Sequence, residues 1–151
     1  MAESRAIVVF DGDCGLCNGF VAWLIRRDRD RRFLIAGSAG DAGRAALAAA
    51  GLPAAIAASS LVVWDGRKAA LRSDAVARIA AELPWPWRSA TALRLVPRGL
   101  RDTAYDAVAR RRPRRPALDP ACGTPPPQLV REWRSRLAST EDARRLTRPT
   151  P

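Results

Sequence analysis

Cys14-Gly15-Leu16-Cys17 places two thiols two residues apart, directly after an apolar run and at the opening of a helical pattern. That spacing serves two chemistries. Two intervening residues at a helix start let both sulfurs meet in a strained, readily reduced disulfide, which suits thiol–disulfide exchange. The same spacing occurs in zinc sites. Zinc needs four ligands, and this chain offers three Cys and no His, so Cys122 would have to fold back, with Asp or water as the fourth ligand. Position favours exchange. At the first turn of a helix, unpaired N–H groups and the positive end of the dipole stabilise a thiolate. On this basis Cys14 is expected as the exposed nucleophile. Cys17, in line with Phe20, Val21 and Leu24, is expected as the buried resolving thiol.

Asp11 and Asp13 flank the pair. Asp11-Gly12-Asp13 forms a turn in which one Asp caps the helix, or one carboxylate accepts the Cys17 proton during resolution. With no His in the chain, a Ser–His–Asp triad, a His base and any His-ligated metal are excluded. Exchange through a cysteine pair cycles its electrons through the sulfurs and requires no bound cofactor.

The elements that must position this pair follow from periodicity. Ala6–Phe10 reads as a buried strand, and Cys17, Phe20, Val21, Leu24 and Ile25 recur at helical spacing. Phe33–Ala36 reads as a second strand, and Gly40–Ala50 as a helix stopped by Gly51 and Pro53. Leu61–Trp64 with Asp65-Gly66 gives a strand and tight turn, with Lys68–Leu71 returning beside it. Ser73 is expected to cap a helix over Asp74–Leu83 that Pro84 and Pro86 end. Helical pieces follow at 88–96, 99–111 and 128–138. The order β-α-β-α-β-β-α is the plan of a thioredoxin-like α/β fold, here with additional C-terminal helices. The domain is expected over 1–112, with 113–151 a Pro- and Arg-rich, partly disordered segment ending in a helix.

The chain carries a net charge of +11, and residues 88–151 hold nine of those charges. Arg110–Arg115, with five Arg in six residues, suits weak, salt-sensitive contact with polyanions, without a motif for specific nucleic-acid binding. Trp85, Trp87, Arg88, Arg94 and Arg98 form an aromatic–basic cluster, either two Trp packed on the sheet beside solvated Arg or a face for an anionic membrane surface. No run of 18 apolar residues and no signal-peptide pattern occurs, so a cytoplasmic location is the expectation. Two further function classes stay open: a small zinc- or polyanion-binding module, and an accessory protein docking on a membrane or membrane protein.

The stretch Val9-Phe10-Asp11-Gly12-Asp13-Cys14-Gly15-Leu16-Cys17-Asn18 resembles the signature of the DCC family of thiol-disulfide oxidoreductases. Ser73-Asp74-Ala75-Val76, Leu83-Pro84-Trp85-Pro86-Trp87, Arg94-Leu95-Val96-Pro97, Leu100-Arg101-Asp102, Tyr105-Asp106 and Cys122 continue the likeness over residues 6–130. The resemblance implies a thioredoxin-like fold and a protein-disulfide reductase or related activity on a disulfide-containing protein or small thiol substrate. The chain departs from the family where Ala109–Pro116 replaces an Asn-Arg-Tyr-Arg-like stretch. Unlike thioredoxin, it has no Pro before the third strand. Ser59 and Ser60 stand at that substrate-facing loop.

Overall fold

The computed structural model describes residues 6–111 and 119–148. Four strands, β1 (Ala6–Phe10), β2 (Phe33–Gly37), β3 (Val62–Trp64) and β4 (Ala69–Leu71), form one sheet in the order β2-β1-β3-β4. α1 (Gly15–Arg27) connects β1 to β2, which pair in parallel. β3 runs antiparallel to β1, and β4 antiparallel to β3. With α2 (Asp41–Ala49) between β2 and β3 and α3 (Arg72–Glu82) after the hairpin, this is the thioredoxin-like plan that the element order anticipates.

β1 has no polar residue because it has no wet face. Val8 and Phe10 pack with Leu24 of α1 and Ile79 of α3, while Ile7 and Val9 pack with Leu47 of α2. A strand covered by helices on both sides reads as a continuous apolar run. Each fully buried Ile, Leu or Phe contributes about 1.5–3 kcal/mol. This central strand aims its C-terminal end at the cysteine pair.

Two sequence expectations change. α3 starts at Arg72, and its N-cap, Leu71, provides no side-chain hydrogen bond. Ser73 does not cap it, because its hydroxyl donates instead to Asp102, 2.5 Å away. The piece expected at 88–96 is a 3₁₀ stretch, Trp87–Leu95, with no buried residue. Pro86 and Pro97 bracket it, so it cannot lengthen into a packed α-helix.

Three more helices follow: α4 (Arg98–Arg110), α5 (Val130–Arg136) and α6 (Thr140–Thr147). α6 was not anticipated from periodicity, since Leu146 is its single large apolar residue. A reciprocal cap builds it. Ser139 Oγ accepts the Asp142 N–H at 3.1 Å, and Asp142 accepts the Ser139 N–H at 2.7 Å. Arg110 and Arg111 close α4, while the rest of the Arg110–Arg115 run and residues 116–118 lie outside the described residues.

The C-terminal helices are fastened by a buried ion pair. Arg136 of α5 meets Asp28, at the end of α1, at 2.7 Å, with the two side chains 3% and 1% exposed. Arg136 also donates to the carbonyls of Asp28 (2.8 Å) and Phe33 (3.2 Å). The Asp28 carboxylate takes the N–H groups of Arg32 and Phe33 at 3.0 and 2.9 Å. One residue on, Leu137 bridges to Ile35, and the Ala138 N–H donates to the Ile35 carbonyl at 2.8 Å, lengthening the sheet beside β2. α4 docks on α3 through Asp74, which pairs with Arg98 and, at 3.0 Å, with Arg101.

Removing one partner of a buried ion pair leaves an uncompensated charge, a loss of about 3–5 kcal/mol. Arg136→Ala should therefore lower unfolding free energy by about 3 kcal/mol in urea titration. A loss below about 1 kcal/mol would show the pair to be incidental. The Asp74 tie makes a pH prediction. The hydrogen bond from Arg98, opposed by partial burial and aided by Arg101, holds the Asp74 carboxyl below the usual carboxylate range. A carboxyl with a depressed folded-state pKa stabilises the fold above its unfolded pKa and loses that contribution as pH falls through the folded value. α4 should stay docked at about pH 6 and loosen below about pH 3.9, and Asp74→Asn should remove this part of the acid dependence of the urea midpoint.

Candidate active site

Cys14 is the N-cap of α1. Its Sγ accepts the N–H of Cys17 at 3.2 Å, so the helix start directs a backbone donor at this sulfur. The expectation that an Asp caps the helix is corrected. Asp11 Oδ1 instead accepts the Asp13 N–H at 3.0 Å, and the Asp11 carbonyl accepts the Cys14 N–H at 3.1 Å, closing the turn that delivers Cys14. Asp11 is buried and Asp13 half-buried.

The exposures of the two thiols are the reverse of expectation. Cys14 is 2% exposed, whereas Cys17 is partly exposed. A strap, Asp119–Thr124, is drawn across the turn that carries Cys14. Thr124 N–H donates to Asn18 Oδ1 at 2.9 Å, and the Gly37 N–H donates to the Ala121 carbonyl at 2.9 Å. Gly12 must be glycine, because a Cβ there would collide with the Pro120 carbonyl. Asn18 completes the fastening, its Nδ2 donating to the carbonyls of Gly12 (2.9 Å) and Cys14 (3.0 Å). Trp133 of α5, stacked edge-on to Phe10, donates Nε1 to the Cys122 carbonyl at 2.7 Å and holds the strap from behind.

Cys17 faces the other way, onto a cavity of about 580 Å³ whose walls include Leu16, Phe20, Leu61, Leu100 and Val108. The loop before β3 reaches this cavity through Leu61. Ser59 is exposed, and Ser60 is buried with its hydroxyl spent, donating to the Leu61 carbonyl and accepting the Arg72 N–H, both at 2.9 Å. Leu61 keeps the N–H that a proline would lack, and Tyr105 Oη of α4 accepts it at 2.8 Å.

Cys122 rides on the strap. Burial, then the hydrogen bond to Asp119 and the charge of that carboxylate, push its thiol pKa up. Among the described residues no three His, Cys, Asp or Glu side chains converge as a metal site, so the zinc arrangement of Cys14, Cys17 and Cys122 is not formed. The Trp–Arg cluster divides. Trp87 packs edge-on against Trp23 of α1 at 5.0 Å, with Arg27 over both rings, rather than on the sheet, while Trp85 is 82% exposed. Among the described residues no helix is long and apolar enough to cross a membrane.

Sequence reasoning placed Cys14 and Cys17, and read Trp133 as a packing residue of the last helix and Leu61 as part of a strand, but gave none of Asn18, Trp133 or Leu61 a place at the site. Asn18 did carry a signal, a short polar side chain in the first turns of an apolar helix. Its strap partner lies 106 residues away and left no pattern.

A thioredoxin-like sheet that delivers two cysteines to the start of its first helix defines the class of this domain. The model of the DCC1-like thiol-disulfide oxidoreductase family matches residues 8–117, and the chain belongs to that family. It is 29% identical over 127 residues to the uncharacterized protein YuxK of Bacillus subtilis (strain 168), covering 84% of this chain and 92% of that protein. It is 34% identical over 113 residues to a chloroplastic DCC family protein of Arabidopsis thaliana, covering 73% of this chain and 64% of that one. No solved structure matches the chain at a significant level.

Asn18→Ala should free the strap and expose Cys14. Under limiting iodoacetamide the native protein should label at Cys17 ahead of Cys14 and Cys122. The Asn18→Ala protein should show a several-fold gain at Cys14, read by peptide mass spectrometry. Unchanged Cys14 labelling would remove the strap as its cover.

Proposed function

We propose that this protein is a thiol–disulfide oxidoreductase of the protein-disulfide reductase type, with Cys14 and Cys17 as its redox pair. The observation that carries this is the pair itself. Two free thiols stand at one helix start, one receiving a backbone N–H and the other opening on a cavity beside the loop before β3.

Access sets the order of events. Cys17 Sγ, as thiolate, attacks one sulfur of a substrate disulfide, forming a mixed disulfide and releasing the other substrate sulfur as thiolate. Cys14 Sγ then attacks Cys17 Sγ, breaking the mixed disulfide and forming the Cys14–Cys17 disulfide. Two electrons pass from the pair to the substrate, and its two sulfurs take up the two protons that the cysteines gave up. A dithiol donor returns the pair to the reduced state. The Cys17 N–H donated to Cys14 Sγ fixes the resolving sulfur at the helix start, one turn from the sulfur it attacks. Asp13, beside the pair, is the candidate to relay the proton.

Cys14→Ser should accumulate a stable mixed disulfide through Cys17, and Cys17→Ser should neither turn over nor trap substrate. The reverse pattern would return the attacking role to Cys14. Cys122→Ser should retain turnover, because the raised Cys122 pKa leaves little thiolate at neutral pH. Reduction of insulin by dithiothreitol, followed by turbidity, measures all three. Loss of most activity in Cys122→Ser would indicate a three-thiol relay.

A further inference from the structure

Thiol exchange needs an accessible sulfur, yet Cys17 opens on a carbon-walled cleft of about 580 Å³, within the usual size range of ligand sites. The polar groups along it are already engaged. Ser73 donates to Asp102 at 2.5 Å, and Arg101 donates to Asp74 and to the Val96 carbonyl, each at 3.0 Å. Tyr105 Oη holds the Leu61 N–H. The walls therefore recognise carbon.

The mouth is wide. Leu100 is 65% exposed, Val108 57%, Leu16 45% and Leu93 43%. Apolar residues so exposed and contiguous mark an interaction surface. A free lipid-like molecule needs a pocket enclosing most of its surface, whereas side chains hanging from a backbone need an open cleft. The segment that carries the outer wall is basic. Residues 88–111 hold six arginines against two aspartates; Arg98 and Arg101 are tied to Asp74, while Arg88, Arg94, Arg110 and Arg111 are exposed.

We propose that this cleft binds the large apolar residues flanking a cysteine in a polypeptide disulfide, while acidic residues further out meet the arginines of the wall. This rests on the thiol–disulfide role of Cys14 and Cys17 and names the substrate class for it. The flanking side chains enter between Leu16 and Leu100, which brings the substrate disulfide to Cys17.

Three cysteine peptides, each joined by a disulfide to nitrothiobenzoate, test the proposal through the absorbance of the released thiolate. In the first, leucines flank the cysteine and aspartates lie outside them. In the second, serines replace the leucines, and in the third, lysines replace the aspartates. The first should exceed the second by about tenfold or more in kcat/KM, because each buried methylene contributes appreciably. It should also exceed the third, by a margin that shrinks with salt. Leu100→Ser and Val108→Ser should each collapse the ratio of the first to the second. In a Cys14→Ser, Cys17→Ser double variant, calorimetry with the first peptide as its methylated thiol should still show binding, stronger than for the serine peptide. Equal release from leucine and serine peptides overturns the cleft proposal and leaves the redox role standing. No release from any peptide overturns the redox role and the proposal resting on it. Tighter binding of decanoate than of the leucine peptide to the double variant also overturns it, in favour of a lipid-like ligand.

Discussion

The buried pair of Asp28 and Arg136 is the constraint from which the rest of the site follows. Two charges withdrawn from water are tolerated when their remaining donors and acceptors are met. Here two backbone N–H groups and two backbone carbonyls meet them. Such a pair adds little net stability over an apolar replacement, but its charges are fully met in this seating of α5. α5 so seated carries Trp133 to Phe10, and Trp133 in turn fixes the Cys122 carbonyl and the strap. The strap across the turn that begins α1 thus hangs on an ion pair at the far end of that helix.

The strap lies close because small residues let it. Gly12 and Gly37 each leave room that a Cβ would take from Pro120, and the two glycines end β1 and the turn after it on one side and β2 on the other. Close backbone approach substitutes for side-chain packing, so the strap is held on the turn by amide groups rather than apolar bulk. Asn18 fits this arrangement, since its amide both donates and accepts and can face backbone on two sides. The two thiols consequently have unlike surroundings. Cys14 sits among peptide dipoles, and Cys17 among carbon.

What the sequence disclosed was what periodicity and local chemistry encode. The all-apolar β1, the helical recurrence from Cys17 to Ile25 and the Cys pair at their junction are adjacent in the chain and need no tertiary knowledge. The hairpin of β3 and β4 was legible from Asp65-Gly66. Arg136 was not, because in sequence it is one arginine among 25, and its partner lies 108 residues away. The thiol exposures were misjudged for the same reason. Helical spacing places Cys17 on the apolar face correctly, but whether an apolar face meets the sheet or a cleft is decided by where α4 docks. α6 was hidden because its start signal, Ser139 to Asp142, stands without an apolar stripe behind it.

Leu61 shows what a single backbone atom demands. Proline at that point would make no demand, since it carries no N–H. Leucine introduces a donor, and Tyr105 supplies the acceptor from a helix that the four-stranded core does not otherwise need. The core and α4 are therefore not separable modules. A shortened chain ending after α3 would present a bare amide at the lip of its own site. Conversely, a proline grafted at position 61 would take away the donor that the Tyr105 hydroxyl now accepts. Loop and helix are bound as a pair, and an exchange of either between relatives would carry over intact only if the other came with it.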